Sequence, residues 1–434
     1  MKEQHKIPTS KVRRASRFVR TGVKVGGNYM KHYAKKAVGA KVKKEDLDKE
    51  NADDIYKTLS ELKGSALKIA QVLSMEKNLL PSAYTDAFAM AQHKAPPLSG
   101  PLVVKTFRQY IGKSPQQIFD TFDMQASHAA SIGQVHEASK NGQKLAVKIQ
   151  YPGVAESVKS DLRMVKPFAL RLLGLSEADL DQYFEEVESK LLEETNYDLE
   201  LQQSQEFSDK CKHLPNLAFA EYYPEMSSNR ILTMSWLDGL TLGEWVQTNP
   251  SQELRNKVGQ ALWDFYMYQA HELKFLHSDP HPGNFLIQKD GTVGVIDFGC
   301  TKKIPTHFYD SYFALADAEV IDDEEERYKH FITLEMLHED DTQADKDFFL
   351  PLFVRGVKLM AKPLYSDTFD FSDNDFFQKI YSFGDELARM PEVRKSSRPR
   401  GSKHALYVQR TIAGLFNLLN QLQAKIYTRW SADD

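Results

Sequence analysis

Apolar residues recur with a helical period through the first part of the chain. In Ile55–Leu73 they fall every three to four positions, and helix is expected over 46–92 as a whole. The proline-rich run Ala95–Pro101 should interrupt the chain, and another helix is expected around Leu102–Tyr110. The pattern therefore predicts a helical extension before the first strands.

Strand-like patterns begin at about Ile118. Leu145–Ile149 is a predicted strand that follows an Asn-Gly turn, and Arg230–Met234 is another. Two short apolar runs, 285–287 and 293–296, predict a hairpin around an Asp-Gly turn. Helices are expected over 154–173, over 177–211, from about 254 to 275, and through most of the chain after 306.

Composition places the chain among ordinary folded proteins. Its 434 residues are 41% hydrophobic and 27% charged, which argues against disordered, collagen-like and coiled-coil classes. The longest stretch without charge, Thr411–Ala424, has 14 residues, whereas a membrane-spanning helix needs about 20, so no transmembrane segment is expected. The only cysteines, Cys211 and Cys300, are expected to be free thiols in a reducing compartment.

The charge of the chain is unevenly distributed. Residues 1–44 hold 14 Lys and Arg and one acid, Glu3, a balance of +13, so the rest must sum to −17 to give −4 overall. The arginines of residues 1–44 recur at helical spacing, and Gly26-Gly27 is expected to interrupt such a helix. Three interpretations stay open: a surface for anionic lipid or a partner, a solvated arm that folds back on the acidic remainder, and a mitochondrial targeting segment. No motif for specific nucleic-acid binding accompanies it.

The strongest chemical signal is the segment His277–Asn284, HSDPHPGN, followed by Asp297 in an Asp-Phe-Gly motif. An Asp, an Asn five residues later and then Asp-Phe-Gly after a buried strand have the spacing of a protein-kinase-like catalytic region. Asn284 and Asp297 offer hard oxygen ligands for Mg²⁺ on nucleotide phosphates. Asp279 would orient a hydroxyl or water toward the terminal phosphate. His281 would either orient Asp279 or hold the loop backbone.

Residues upstream of this segment fit the same chemistry of ATP binding. Lys148 would hold the α- and β-phosphates and pair with Glu200, 52 residues later. At a predicted hinge the backbones of Ser235 and Leu237 would bind adenine, with Met234 either behind the base or in the core.

A loop that contains alanines stands where kinases have a Gly-rich loop before Lys148. Alanine restricts φ where glycine does not, so this loop should be stiffer, while its backbone N–H groups could still face phosphate. The predicted nucleotide-binding residues in it are Ala129, Ala130, Ser131, Ile132, Gly133, Gln134 and Val135.

Three motifs together resemble the UbiB/ADCK family of atypical protein-kinase-like proteins: the loop AASIGQVH, the segment HSDPHPGN and Asp-Phe-Gly. The resemblance spans roughly residues 50–305. It implies an α+β, protein-kinase-like two-lobe fold, with a small antiparallel sheet in the N-lobe and a mainly helical C-lobe. The implied divisions are a basic segment 1–44, a helical extension 45–117, an N-lobe 118–237 with a helical insert, and a C-lobe 238–434.

The family also carries a K-x-G-Q motif in its N-terminal helices and an E-x-D motif near the helix that bears the kinase Glu. The matching positions are Lys68 and Gln71 in KIAQ and Glu194 in ETN. The resemblance implies a regulatory Lys68–Glu194 pair, Gln71 near the nucleotide, and a helix that covers the active site. Three residues depart from the family motifs: Ala70, Asn196 and His128, the last expected to be an exposed loop residue.

The segment after Asp-Phe-Gly lacks the long activation segment with which a protein kinase binds its peptide, and Lys302–Pro305 should lead directly into a helix. The leading hypothesis is therefore a Mg²⁺-dependent ATPase, or a small-molecule or lipid phosphotransferase. The resemblance adds a role in ubiquinone biosynthesis or lipid metabolism, with a lipid or quinone-like molecule as a partner.

Two alternatives to this function stay open: a phosphotransferase for a soluble metabolite or protein, and a non-catalytic, nucleotide-regulated scaffold. The expected location is the cytoplasm, including the surface of an anionic membrane reached through residues 1–44, with the mitochondrial matrix as the alternative.

Overall fold

The computed structural model of the chain forms two compact units. The first contains residues 1–202 and 221–236, and the second contains 203–220 and 237–434. The residues that the structure describes are 11–37, 44–62, 97–130, 132–173, 177–394 and 400–429.

The elements follow one another in a mixed order along the chain. The helices are α1 (Lys11–Ala37), α2 (Lys44–Leu62), α3 (Gly100–Tyr110), α4 (Pro115–Ile118), α5 (Val154–Leu173), α6 (Glu177–Glu194), α7 (Tyr197–Cys211), α8 (Leu242–Gln247), α9 (Gln252–Tyr268), α10 (Thr306–Ala314), α11 (Ala318–Asp322), α12 (Glu324–Thr333), α13 (Gln343–Ala361), α14 (Asn374–Arg389), α15 (Pro391–Arg394) and α16 (Lys403–Leu422). The strands are β1 (Thr121–Phe122), β2 (His128–Ala129), β3 (Gly133–Lys140), β4 (Gln143–Gln150), β5 (Leu217–Phe219), β6 (Ile231–Ser235), β7 (Leu240–Thr241), β8 (Phe275–His277), β9 (Phe285–Ile287), β10 (Val293–Val295), β11 (Thr301–Lys303), β12 (Thr368–Asp370) and β13 (Lys425–Tyr427).

The first unit is built on an antiparallel sheet with the strand order β1-β3-β4-β6, and β2 also pairs with β3. Asn141 and Gly142 join β3 to β4 with φ angles of 52° and 78°, the left-handed values that a tight two-residue hairpin favours. The register sets Lys148 opposite Val135 on one side and Leu232 on the other. Lys148 therefore lies on a central strand, where a slip of one residue would turn every inward side chain outward.

Helix α1 continues through Gly26-Gly27, so the expected interruption is wrong. A Cβ at either glycine would meet nothing within 4 Å, so neither is needed for a close contact. Each glycine costs ~1 kcal/mol relative to alanine in a helix. Packing of α1 against α2 and α5 offsets this cost, because tertiary contacts supply most helix stability in proteins.

Part of the basic segment folds back onto acidic side chains. Arg14 forms an ion pair with Asp161 of α5 in which the two side chains are 3% and 0% exposed. Its Nη1 also donates to Leu62 O at 2.8 Å. Lys24 pairs with Asp54 of α2 nearer the surface. These contacts are of the kind that the fold-back interpretation of residues 1–44 expects.

The second unit is organised around α9. Its main sheet has the order β5-β10-β9-β7, with β5 parallel to β10 and the other pairs antiparallel. Val258, Leu262 and Phe265 on α9 are fully buried, as their helical period predicts. In the same core Phe298 of the Asp-Phe-Gly motif stacks on Phe207, with ring centroids 5.2 Å apart. Aromatic packing therefore anchors this motif in the core.

A two-stranded ladder joins the segment before Asp279 to the segment after Asp-Phe-Gly. β8 pairs with β11, which sets His277 opposite Thr301. Ser278 N donates to Cys300 O at 2.9 Å. Lys302 and Lys303 belong to this ladder rather than to a direct entry into helix, and α10 begins at Thr306.

Other predicted boundaries also change. The helix expected over 177–211 divides into α6 and α7. The helix expected to end near Phe275 passes from α9 into a π-helical turn, Gln269–Leu273, and Phe275 itself pairs with Lys303 in the ladder. Strands β12 and β13 pair within the region expected to be helical.

Cys211 and Cys300 are both buried, and neither forms a disulfide bond. Burial raises the pKa of Cys211 to about 12, because an apolar environment disfavours the thiolate. Among the helices that the structure describes, none is both long enough and apolar enough to cross a membrane.

Candidate functional site

Lys148 and Glu200 form a buried ion pair in the first unit. Nζ of Lys148 donates to Oε1 of Glu200 at 2.6 Å, and the side chains are 7% and 2% exposed. The same Nζ lies 5.1 Å from the ring centroid of Tyr197. A buried ammonium requires such a partner, so the pair holds the head group of the lysine in place. The structure thus brings together the two residues that the sequence predicted as partners.

The turn between α6 and α7 is fastened to the sheet, which places Glu200. Thr195 O accepts hydrogen bonds from Gln150 Nε2 of β4 at 2.9 Å and from Arg230 Nη1 at 2.5 Å. Gln150 follows Lys148 by two residues on the same strand, so one strand holds both the turn and the lysine. The start of α7 is therefore tied to β4 at two points, the bond from Gln150 to Thr195 and the ion pair of Lys148 with Glu200.

Asn196, which stands where the family motif has Asp, caps α7. Its Oδ1 accepts from Leu199 N at 3.3 Å, and its backbone O accepts from Glu200 N at 3.0 Å. Asn and Asp are about equally favoured at this position, because either side chain offers an oxygen to the first N–H groups of a helix. The departure from the motif removes a charge and keeps the capping oxygen.

The loop that contains alanines is a tight turn between β2 and β3. Ala130 N donates to Gly133 O at 3.0 Å, and Gly133 N donates to Ala130 O at 3.4 Å. These two N–H groups are used within the turn, which leaves phosphate contacts to other groups of the loop. Gly133 is required by close packing, because a Cβ there would overlap Ile149 O. Ser131 lies outside the described residues.

Gln134, predicted to bind nucleotide, has its side chain buried in the first unit. Its Oε1 accepts from Leu98 N at 2.7 Å, and its Nε2 lies 2.7 Å from Nε2 of His136. His136 Nδ1 lies 2.8 Å from Asp123 O, an acceptor only, so Nδ1 carries the proton and Nε2 accepts from Gln134. Burial lowers the pKa of His136 and favours this neutral ring. Gln134 therefore fastens β3 to the segment that precedes α3.

The predicted hinge is partly engaged by the sheet. Met234 is buried opposite Ala146, which agrees with a core position. Ser235 N donates to Glu221 O at 2.7 Å, so the backbone N–H of Ser235 is already used within the sheet. The carbonyl of Ser235 is therefore the backbone group of this residue that suits a contact with adenine. Leu237 belongs to the second unit, where its Cδ1 lies 3.3 Å from the Cβ position of Gly294.

Asp279 and Asn284 are joined by side-chain hydrogen bonds in the second unit. Asn284 Nδ2 donates to Asp279 O at 2.9 Å and to Asp279 Oδ2 at 3.3 Å. Gly283 N donates to His281 Nδ1 at 3.0 Å, so His281 holds the loop backbone, one of its two predicted roles. The loop is thereby held in one compact shape.

Asn284 and Asp297 lie at the same end of the β9–β10 hairpin. Phe285 pairs with Val295, and Ile296 N donates to Asn284 O at 3.2 Å, so Asp297 follows the residue bonded to Asn284. Asp297 Oδ1 accepts from Gly299 N at 2.9 Å. Two predicted metal ligands from separate segments are therefore neighbours.

This donor set fits Mg²⁺. Because the amide nitrogen of Asn284 makes both bonds to Asp279, its amide oxygen is the atom oriented to act as a ligand. Mg²⁺ in nucleotide sites binds one or two carboxylates together with phosphates and waters. Across the described ranges no cluster of three or more His, Cys, Asp or Glu side chains is arranged for a metal.

His277 connects the segment before Asp279 to the segment of Asp297. Its Nε2 lies 2.6 Å from Asp297 O and its Nδ1 lies 2.9 Å from the hydroxyl of Tyr266. Because a carbonyl only accepts, Nε2 carries the proton and Nδ1 accepts from the tyrosine. Burial lowers the pKa of His277, so the ring stays neutral near pH 7. The backbone at Asp297 is thus held by a neutral, fully buried histidine.

Gln269, in the π-helical turn, supports His277 from behind. Its Oε1 accepts from His277 N at 2.6 Å and its Nε2 donates to Phe265 O at 2.9 Å. π-Helical turns occur often at functional sites. The sequence carries no signal for Tyr266 or Gln269, whereas His277 had one, its position two residues before Asp279.

Comparison with known families bears directly on this arrangement. The ABC1 atypical kinase-like domain matches residues 90–331, more than half of the chain, including Lys148, Glu200, Asp279, Asn284 and Asp297. This chain belongs to the ABC1 atypical kinase-like family. The predicted resemblance to UbiB/ADCK proteins is therefore confirmed.

Relatives of this ABC1 protein cover most of its length. The mitochondrial atypical kinase COQ8B of Rattus norvegicus is 28% identical over 98% of this chain and 80% of its own. The mitochondrial atypical kinase COQ8 of Saccharomyces cerevisiae is 27% identical over 88% of this chain and 75% of its own. The solved complex of Rv3197 from Mycobacterium tuberculosis with erythromycin has a TM-score of 0.61 at 24% identity, over 88% of this chain and 95% of that one. The kinase-like α+β fold predicted from the sequence is confirmed.

The regulatory residues of the ABC1 resemblance are only partly described. Glu194 is buried at the end of α6. Lys68 and Gln71 lie outside the described residues, so their roles stay predictions. His128 is exposed in β2, with its ring centroid 6.1 Å from that of Trp236.

Replacing His277 should destabilise the protein more than removing its tyrosine partner. In His277→Leu both Asp297 O and the hydroxyl of Tyr266 lose a buried partner, which should cost ~2–4 kcal/mol of unfolding free energy. Tyr266→Phe removes one hydrogen bond and should cost ~1–2 kcal/mol. Urea denaturation would rank the two variants, and a wild-type midpoint for His277→Leu would contradict this role.

Proposed function

We propose that this ABC1 protein binds ATP with Mg²⁺ and acts as an ATPase or as a phosphotransferase for a small molecule or lipid. The observation that carries the proposal is the shared end of the β9–β10 hairpin. There Asn284 contacts Asp279 through its side chain and lies next to Asp297 through the backbone bond to Ile296. Acceptor-activating and metal-binding groups are thus assembled in one unit.

Each residue of the candidate site has a separate task in this proposal. Lys148, held by Glu200, binds the α- and β-phosphates. The amide oxygen of Asn284 and the carboxylate of Asp297 bind Mg²⁺. When bound, the ion neutralises charge on the phosphate oxygens. Asp279 orients a hydroxyl or water and accepts its proton.

The short connection after Asp-Phe-Gly supports an acceptor smaller than a peptide. Only residues 304 and 305 separate β11 from α10. Protein kinases bind their peptide with a much longer segment at this point. Water, a small molecule or a lipid is therefore the proposed acceptor.

The names of the relatives support the proposed pathway and location. Similar proteins are called mitochondrial atypical kinases COQ8 and COQ8B. Together with the UbiB/ADCK resemblance, this supports a role in ubiquinone biosynthesis. It also favours the mitochondrial alternative over the cytoplasmic location expected first.

Mg·ATP should raise the melting temperature of the wild-type protein but not that of Asp297→Asn. The substitution removes the charged metal ligand, and stabilisation by a ligand requires binding to the folded state. Asp290→Asn is the matched control, because Asp290 is an exposed carboxylate at the tip of the same hairpin. Stabilisation of Asp297→Asn by Mg·ATP would show that the metal assignment is wrong.

ATP turnover with and without anionic vesicles tests the reaction class. The wild type should release free phosphate, faster with vesicles, and Asp279→Asn should be slower by about 10²–10⁴-fold, the usual contribution of a general base. Stoichiometric phosphate transfer to a soluble metabolite or a protein would favour the second hypothesis. ATP binding without turnover under any lipid condition would favour the scaffold.

We also propose that α1 contacts an anionic membrane surface. Val19, Val23, Met30 and Tyr33 are 66%, 73%, 75% and 61% exposed. At 100° per residue these four positions fall within about 80° of the helix circumference. At the same spacing, a face about 60–120° beyond one edge of this stripe carries the exposed basic residues Arg20, Lys24, Lys31 and Lys35. An apolar stripe combined with Lys and Arg on the polar face is the pattern of helices that lie in a membrane interface.

Val23→Gln combined with Met30→Gln should reduce flotation with vesicles that contain phosphatidylserine. The double variant loses apolar area while it keeps every charge, so it separates insertion from simple attraction. Tyr427→Gln, at an exposed apolar residue of the second unit, is the control. Undiminished flotation of the double variant would exclude α1 as the contact.

A further inference from the structure

We infer that the C-terminal helix α16 positions Asp279 through Arg410 and Gly414. The inference rests on the proposed function, because it assumes that Asp279 orients the acceptor. Helix α16 lies outside residues 90–331, the part of the chain that the ABC1 domain matches. From the sequence it was expected only to be helical.

Helix α16 approaches the loop of Asp279 closely at Gly414. A Cβ at this position would overlap Cγ of Pro280 and lie 3.2 Å from its Cβ. The proline ring cannot rotate out of the way. Glycine is a poorer helix former than alanine, so this position gives up some helix stability for the close contact. Only glycine lets the backbone of α16 lie directly against the residue after Asp279.

Arg410 lies one helical turn before Gly414 and on the same face of α16. Its Nη2 is 3.9 Å from Oδ1 of Asp279. The other oxygen, Oδ2, is 3.3 Å from Nδ2 of Asn284. One carboxylate therefore has a cation from α16 at one oxygen and the amide of a proposed metal ligand at the other.

These two neighbours restrict the rotation of the Asp279 carboxylate. The side chains of Arg410 and Asp279 are 22% and 21% exposed, so solvent screens their attraction less than it would screen a surface pair. Arg410 is thus a positioning residue, which acts through Asp279 and not on the nucleotide.

A second contact holds the same helix near the Asp-Phe-Gly segment. Tyr407, three residues before Arg410, has Nζ of Lys302 4.5 Å from its ring centroid. Lys302 belongs to β11, which pairs with β8 immediately before Asp279. Helix α16 therefore contacts both the loop of Asp279 and the strand after Asp-Phe-Gly.

A double-mutant cycle on ATP turnover tests the inference. Arg410→Gln should lower kcat about tenfold or more and leave KM for ATP unchanged, because misplacement of a catalytic group slows the chemical step. The same substitution should have no further effect in an Asp279→Asn background. Arg410→Lys should restore part of the rate, since it keeps the charge but not the planar guanidinium. Arg429→Gln, which breaks an exposed pair with Asp367, is the control.

Gly414→Ala tests the steric part of the contact independently. It should lower kcat with KM for ATP retained, because α16 and Pro280 must separate. Gly243→Ala on α8 is the matched control, since a Cβ there meets nothing within 4 Å. Melting temperatures with and without Mg·ATP would show that each variant is folded and binds nucleotide.

The outcomes separate the inference from the proposed function. A wild-type kcat in Arg410→Gln, or an equal loss of turnover with and without Asp279, would overturn the positioning role alone. A wild-type protein that binds Mg·ATP but does not turn it over would overturn the proposed function, and the inference with it.

Discussion

Charge that is removed from water must be compensated inside the protein, and the first unit is arranged around this requirement. Lys148 on a central strand is paired with Glu200, and both side chains are almost fully buried. Because a lone buried charge would be costly, the position of α7 depends on the strand that carries the lysine. Arg14 and Asp161 hold α1 against α5 by the same principle. One physical constraint thus links Lys148 to the helices around the sheet.

The second unit holds its buried backbone in place with neutral polar groups. His277 is neutral and buried between Tyr266 and the backbone of Asp297, and Gln269 supports it from the π-helical turn. Phe298 anchors the neighbouring position in the core. Backbone and aromatic contacts thereby fix the chain at Asp297, the residue proposed as a metal ligand.

The loop of Asp279 is held by elements from distant parts of the sequence. The ladder of β8 with β11 fixes the residues before it, and the hairpin of β9 with β10 fixes the residues after it. Helix α16, more than 120 residues later, lies against Pro280. Helix α16 of this ABC1 protein is therefore part of the environment of the Asp279 loop, although the family match ends before it.

The candidate chemistry and much of the fold class could be predicted from the residue types and their spacing. Phosphate and Mg²⁺ chemistry tolerates few residue types, so the spacing of Asp279, Asn284 and Asp297 was informative without coordinates. The Asn-Gly turn marked its hairpin because only certain residues adopt left-handed φ easily.

The features that depend on packing could not be predicted in this way. Among these are the continuity of α1 through Gly26-Gly27, the inward side chain of Gln134, and the contact of Gly414 with Pro280. Periodicity and turn chemistry act over a few neighbouring residues. The burial of a side chain, or the need for a glycine, depends on residues many positions away in the chain. Local sequence patterns do not show which distant residues will be in contact.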